Sequence, residues 1–385
     1  MRIALVSPPF IPVPPVGYGG TELVVAELAC SLTRKGHEVI VYATGDSHLG
    51  PIEIRSYFPA AQWPPDPDVE ATHAAFSLRD IARDSRGFDV VHVHTPAAVA
   101  LSRLCPYPMI ATIHHDRADH LTRIYQENPR VRLVAISASQ ARKERAPISS
   151  IIHHGLDRDR FPEMPDQGYL LYIGRYSPEK GTHLAIEVAA RAGLPIVLAG
   201  ESHDDDYYRE RVLPLIERHR ALQIGPVGGA RKLRLMARAR ALLFPIQWDE
   251  PFGLVMIESL LCGVPVLALR QGSVAEVIED GVTGVIADDP VELVATARIS
   301  ETFFDRRRIR ELARERWKAD RMTDDYVSLY RETAEELTAA DAGEGTHERS
   351  HADHRRRGGA ARIWRPDPAS RIDGHREARP QAGQP

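Results

Sequence analysis

"ALLFPIQWDEPFGLVMIESLLCGVPVLAL", residues 241–269, decides the fold. It opens and closes on short apolar runs, each too short for a helix and suited to a strand buried on both faces. Between them lies an apolar helical pattern that carries two carboxylates, Glu250 and Glu258. A helix through both would set them about 80° apart on one side. Pro251 cannot donate to a preceding turn and is favoured at the first helical position, so the helix is expected to begin near it. Glu250 then lies in the loop ahead and Glu258 about two turns in. That is a strand–loop–helix–strand unit with two carboxylates able to clamp one ligand.

The same alternation runs outward in both directions. "RIALVS", "HEVIVYA", "FDVVHVH", "PMIATIH" and "RLVAIS" are strand candidates ahead of residue 140, with a helix expected from about Thr21 to Lys35. "YLLYIG", "PIVLAG", "ALQIG", "ALLFP", "PVLAL" and "GVIA" form a second series. Between the series, "GLDRDRFPEMPDQG" is rich in Pro, Gly and charge and reads as a linker. The fold class is therefore α/β, with two tandem doubly wound Rossmann-like domains, 1–160 and 165–316, facing each other across a cleft. A helical stretch, 317–338, follows. From Asp341 to Pro385 the chain is poor in apolar residues and rich in Arg, Gly and Pro, which predicts a disordered tail. His347, His351 and His354 in it read as solvated.

Composition narrows the function. The 385 residues are 43% hydrophobic and 26% charged, with a formal charge of −4. That balance does not suggest a nucleic-acid partner. Cys30, Cys105 and Cys262 make no metal or disulfide pattern and read as buried thiols in a reducing compartment. No apolar run approaches ~20 residues, so no membrane span is expected. The chain reads as cytoplasmic, with peripheral association at the inner face of a membrane left open.

In open parallel sheets ligands lie beyond the carboxyl ends of the strands. After the first strand comes "PPVGYGGTE", where Gly19 and Gly20 allow close backbone approach ahead of a helix start. A dinucleotide fingerprint would need a further glycine where Glu22 stands; Asp46 would be its ribose ligand. A plain tight turn is the third reading. His114, at the end of "PMIATIH", can donate to a ligand hydroxyl or be a satisfied structural histidine. His92 and His94 read as structural or supporting. In "GRYSPEKGT", Arg175 and Lys180 flank a helix start and fit a diphosphate, or belong to a solvated loop. Phe252, Gly253 and Leu254 offer backbone N–H groups at the next helix start. Glu258 inside an apolar helix needs a partner, either a ribose diol or an internal arginine. Gly272, Ser273 and Glu276 occupy the loop after "PVLAL". No Asp-x-Asp pair stands at a strand end to hold a metal; Asp204, Asp205 and Asp206 read as a helix start.

Together these motifs resemble glycosyltransferase family 4, retaining enzymes of the B-type (GT-B) fold, over about residues 1–335. The matching pieces are "GYGGTE", "FDVVHVH", "ATIHH", "IGRYSPEKG", "DEPFGLVMIESLLCGVPVLA" and "GSVAEVIEDGVTG". The resemblance implies that His114 and Glu250 contact the donor sugar and that Arg175 and Lys180 hold its diphosphate. It implies that Glu258 grips the nucleotide ribose, that Gly19 and Gly20 lie near the phosphates, and that the helix around Tyr326 braces the first domain. One departure is visible: His154-Gly155-Leu156-Asp157 stands where many members carry Asn-Gly-Val-Asp.

The expected function is retaining, metal-independent transfer of a hexosyl unit from a nucleotide sugar, UDP- or GDP-linked, to a sugar, lipid-linked or small-molecule acceptor, with no further cofactor. The alternatives are a nucleotide-sugar-binding protein without transferase activity and a nucleotide-sugar epimerase.

Overall fold

The computed structural model describes the backbone of residues 1–351 and side chains as far as Glu336. Two parallel sheets organise it. The first contains β1 (Arg2–Val6), β2 (Glu38–Tyr42), β3 (Glu53–Arg55), β4 (Val90–Val93), β5 (Met109–Ile113), β6 (Arg132–Ala135) and β7 (Ile148–Ile151) in the order β3-β2-β1-β4-β5-β6-β7. The second contains β8 (Leu170–Ile173), β9 (Ile196–Ala199), β10 (Leu222–Gln223), β11 (Ala241–Phe244), β12 (Val266–Leu269) and β13 (Gly284–Ala287) in the order β10-β9-β8-β11-β12-β13. Both are doubly wound: chain order reverses beside β1 and beside β8, which opens a crevice at the carboxyl end of each sheet.

The central strands β4, β5, β11 and β12 are buried throughout, and β1 from Ile3 onward, as helices on both faces require. The helix Gly20–Arg34 buries Val24, Val25, Leu28, Ala29 and Leu32, the helical spacing that lays one stripe on the sheet. The helix Leu254–Leu261 buries Met256, Ile257, Leu260 and Leu261 in the same way. It begins at Leu254 rather than near Pro251, because Gly253 adopts a left-handed φ of 76° as its N-cap. Glu258 is therefore the fifth helical residue, little more than one turn in.

Two strands were not expected from sequence, β3 and β7, and they are the two edges of the first sheet. Residues 155–168 hold only a short 3-10 turn, Arg158–Arg160. There the chain meets its own later segment: Leu156 N–H donates to the Trp317 carbonyl at 2.8 Å and Ala319 N–H to the Leu156 carbonyl at 2.9 Å. Gly155 is obligatory at this crossing, since a Cβ would lie 2.4 Å from the Lys318 carbonyl oxygen.

The last helix is Ala319–His351. Its Tyr326 and Tyr330 are fully buried in the core of the first sheet. Tyr326 Oη lies 2.8 Å from Thr112 Oγ1, and Tyr330 Oη 2.7 Å from His92 Nδ1. The expected tail, 341–385 with its three histidines, falls on residues whose side chains or whole placement lie outside those described. No helix among the described residues is long and apolar enough to cross a membrane.

Candidate active site

One cavity of about 700 Å³ lies between the carboxyl ends of the two sheets. The structure brings all ten sequence-predicted site residues to it. Gly19, Gly20 and His114 enter from the first sheet's side. Arg175, Lys180, Glu250 and Glu258 enter from the second, with Phe252, Gly253 and Leu254. Each sits in a loop or near a helix start on the carboxyl side of its sheet, which is why residues far apart in sequence converge.

The glycine loop crosses the cavity mouth. A Cβ on Gly19 would lie 2.7 Å from Pro15 Cβ, and one on Gly20 would touch Leu254 Cδ1 at 3.4 Å. Gly17 in turn abuts Gly228, whose Cβ would lie 2.6 Å from Gly17 Cα. The loop thus makes a close seam between the two halves. It is not a nicotinamide site: Asp46 accepts a hydrogen bond from Ala61 N–H at 3.1 Å in a surface loop and does not line the cavity.

The second sheet supplies the charge. Lys180 donates to Glu250, and Trp248 Nε1–H donates to the same carboxylate oxygen at 3.0 Å. The Lys180 ammonium also lies 4.7 Å from the centre of the Trp248 ring, a cation–π geometry. Arg175 differs: its guanidinium forms no ion pair among the described residues, and its buried Nε has no hydrogen-bond partner. Glu258, 4% exposed, is paired with Lys232 at 2.5 Å. The internal ion pair expected as one alternative is therefore present, with a lysine in place of an arginine. Lys232, in the first turn of the helix Gly229–Ala237, also lines the cavity and was missed from sequence; its only signal there was a cation in "GGARK" at a helix start.

The loop after β12 holds the Glu250 segment in place. Gly272, at φ 54°, packs so closely that a Cβ would lie 2.4 Å from the Glu250 carbonyl oxygen. Ser273 N–H donates to that carbonyl at 3.1 Å, and Ser273 Oγ–H to the Phe252 carbonyl at 2.7 Å. Glu276 reaches across and accepts hydrogen bonds from Ala138 and Ser139 N–H, both at 2.7 Å, which caps a helix of the first half. Lys143 and Asp249 form a second bridge at 2.6 Å.

On the first sheet's side, four histidines pack in a row. His92 and His94 rings lie 4.2 Å apart, His94 and His114 5.2 Å, and His114 and His154 5.4 Å. His94 Nδ1 lies 2.9 Å from His114 Nε2, so one donates to the other. Burial, reinforced by neighbouring histidines, holds His114 well below the usual imidazole range. His154, pushed down to about 3 chiefly by burial, is likewise neutral. His114 therefore offers a hydrogen bond to a ligand, not a positive charge. His154 is the residue at the departure from the family pattern, and its stacking against His114 places that departure in the site. Among the described residues, no group of three His, Cys, Asp or Glu side chains is arranged to hold a metal ion.

With this geometry established, the comparisons with known proteins decide the family. Residues 18–160 match the family model described as Glycosyltransferase Family 4, and residues 156–318 match that for Glycosyl transferases group 1. The chain is 30% identical over 335 residues to the phosphatidyl-myo-inositol mannosyltransferase of Mycolicibacterium smegmatis, spanning 78% of this chain and 84% of that one. The chain belongs to glycosyltransferase family 4. This family 4 glycosyltransferase is also 28% identical over 409 residues to a glycogen synthase of Mycobacterium tuberculosis, spanning 89% of this chain and 96% of that one. Among solved structures it is similar to AviGT4, a glycosyltransferase involved in avilamycin A biosynthesis. The TM-score is 0.69 at 27% identity, over 86% of this chain and 98% of that one. The two parallel sheets are those of the GT-B fold.

Proposed function

We propose that the chain transfers a hexosyl unit from a UDP- or GDP-sugar to a hydroxyl acceptor with retention of anomeric configuration and without a metal ion. One observation carries the donor reading. The cavity gathers Arg175, which forms no ion pair among the described residues, with Lys180, the first turn of the helix Leu254–Leu261, and the buried Glu258. An anion fits between the two cations and the helix start, where first-turn N–H groups open onto the cavity. A ribose diol fits Glu258, in exchange for part of its contact with Lys232.

Chemistry follows from the charges. The anomeric C–O bond breaks and its electron pair stays on the diphosphate, whose growing charge Arg175 and Lys180 stabilise. The acceptor oxygen bonds to the anomeric carbon from the same face and passes its proton to the departing phosphate oxygen. Glu250 is held by Lys180 and Trp248, an arrangement suited to orienting sugar hydroxyls and poorly suited to nucleophilic attack. Neutral His114 orients the sugar from the opposite wall. The bridges Glu276–Ala138 and Lys143–Asp249 keep the halves together around the donor and exclude water.

A thermal-shift panel of UDP-, GDP- and ADP-sugars tests this reading, because a ligand bound only by the folded state raises Tm. A UDP- or GDP-sugar should raise Tm by several degrees in EDTA. Product analysis by NMR should then show the donor's anomeric configuration. A donor converted to another sugar with no acceptor present would point to an epimerase, and no shift with any nucleotide sugar would defeat the proposal.

A further inference from the structure

His154 stands where the two halves of the chain meet. It follows β7 in the segment that leads to the second sheet, and its backbone is clamped there. Arg321 Nη2–H donates to its carbonyl at 2.8 Å, and the next residue is Gly155, packed against Lys318 at the chain crossing. The His154 ring is 2% exposed and lines the cavity. It stacks on His114 with ring centres 5.4 Å apart and planes 17° from parallel. It meets Phe252 edge to face at 4.8 Å and 71°. His114 comes from the first sheet's side and Phe252 from the second's, so the ring is held between one site residue of each half.

Its two ring nitrogens are in different surroundings. Nδ1 is enclosed and has no hydrogen-bond partner among the described residues. Nε2 is then the nitrogen that meets the cavity. Burial, reinforced by Arg321 and His153, pushes the imidazole down to about 3, so the ring is neutral and has one proton to place. On Nδ1 that proton would be a buried donor without an acceptor, the rarer and costlier kind of orphan. On Nε2 it faces the cavity, and free imidazole also favours that tautomer. His154 therefore presents an N–H donor to whatever fills the cavity.

The position of this donor says what it meets. His114 is engaged at Nε2 by His94, so the two stacked imidazoles offer the cavity one nitrogen each. The diphosphate has its cations, Arg175 and Lys180, on the second sheet's side, and a single neutral N–H adds little there. A sugar attached to that diphosphate lies next to the start of the helix Leu254–Leu261, between Glu250 and Phe252 on one wall and His114 on the other. An uncharged hydroxyl suits a neutral donor at that place. Residue type matters for reach. An asparagine amide nitrogen falls near where an imidazole Nδ1 lies, and a glutamine amide nitrogen near where Nε2 lies. Histidine thus carries its N–H to a point that the asparagine of many family members does not reach.

Resting on the donor reading above, we propose that His154 is a specificity-determining residue, whose Nε2–H donates to one hydroxyl of the transferred sugar and selects among nucleotide sugars by the presence of that hydroxyl. It takes no proton in the transfer.

Isothermal titration in EDTA, on the full chain, tests this with UDP-glucose, UDP-galactose, UDP-N-acetylglucosamine and GDP-mannose, each set against UDP or GDP. His154→Phe keeps an aromatic ring and loses the N–H. His154→Gln loses the ring and keeps an N–H near Nε2. A packing role would favour the phenylalanine, and the proposed hydrogen bond favours the glutamine. The donor that binds wild type most tightly should bind His154→Phe about fivefold more weakly and His154→Gln nearly as well as wild type, with UDP and GDP affinities unchanged in both. Among the 2-, 3-, 4- and 6-deoxy forms of that donor, one should bind wild type about fivefold more weakly than the parent, and that penalty should vanish in His154→Phe. His154→Leu, also without an N–H, replaces the phenylalanine variant if its Tm shows it unfolded. Donor binding to His154→Phe as tight as to His154→Gln, or deoxy penalties that are all the same in wild type and His154→Phe, would overturn this assignment alone. No binding of any of these donors, UDP or GDP to wild type would remove the donor reading and this assignment with it.

Discussion

The Lys232 ammonium lies 2.5 Å from Glu258 Oε1, and the two side chains are 18% and 5% exposed. Removing one member of such a pair leaves a buried charge without compensation. Lys232→Met should therefore destabilise the fold by roughly 3 kcal/mol, measured by urea denaturation. The double variant Lys232→Met, Glu258→Gln should recover most of that loss. If Lys232→Met is as stable as wild type, Glu258 is not held as described.

Glu258 and Lys180 should separate binding from chemistry. Glu258→Ala removes the proposed ribose contact and should raise the donor KM at least tenfold. Lys180→Ala removes a charge that matters most as the diphosphate departs, and should lower kcat by about 10²–10³. Steady-state kinetics with the donor found in the thermal-shift panel distinguishes the two patterns.

Gly272 is a backbone requirement of the site. At φ 54°, with a Cβ 2.4 Å from the Glu250 carbonyl oxygen, alanine would have to displace the loop that carries Glu250. Gly272→Ala should lower stability by more than about 1 kcal/mol and reduce activity as well. Gly281, also at positive φ but with open space around it, should tolerate alanine with a smaller stability loss and near-normal turnover. Thermal melts and turnover of the two variants make the comparison.

Glu22 gives a pH signature. Its carboxyl is raised from 4.5 to about 7 in the folded chain by burial. Below pH 4.5 it is protonated in both folded and unfolded chains and costs nothing. Between 4.5 and 7 the unfolded chain releases the proton while the folded chain holds it, so stability falls as pH rises, by roughly 3 kcal/mol in total. Glu22→Gln removes this dependence and leaves every other titrating group in place. The Tm of the variant minus that of wild type should increase from pH 5 to pH 8; a flat or falling difference would contradict the burial.

Much of this was legible in the sequence, for physical reasons that can be named. The central strands are buried on both faces and read as continuous apolar runs. Arg175, Lys180, Glu250 and Glu258 lie at the ends of such runs, in spacings that few other chemistries need. The missed strands, "EIR" and "ISSI", are edges with one side open to water, so neither carries that pattern. Lys232, the burial of Glu22 and the stacking of His154 on His114 escaped for a different reason. Each depends on neighbours distant in the chain: Glu258 for Lys232, the packing around the helix start for Glu22, and His114 for His154. Only the fold brings those partners together.

The account rests most heavily on Arg175 and Lys180 holding a nucleoside diphosphate between the two sheets. Isothermal titration of UDP and GDP, in EDTA, into wild type and into Arg175→Ala tests this most directly. The account predicts micromolar binding of at least one nucleotide to wild type, weakened tenfold or more in the variant at unchanged Tm. Equal affinity in both proteins, or no binding of either nucleotide to wild type at millimolar concentration, would contradict it.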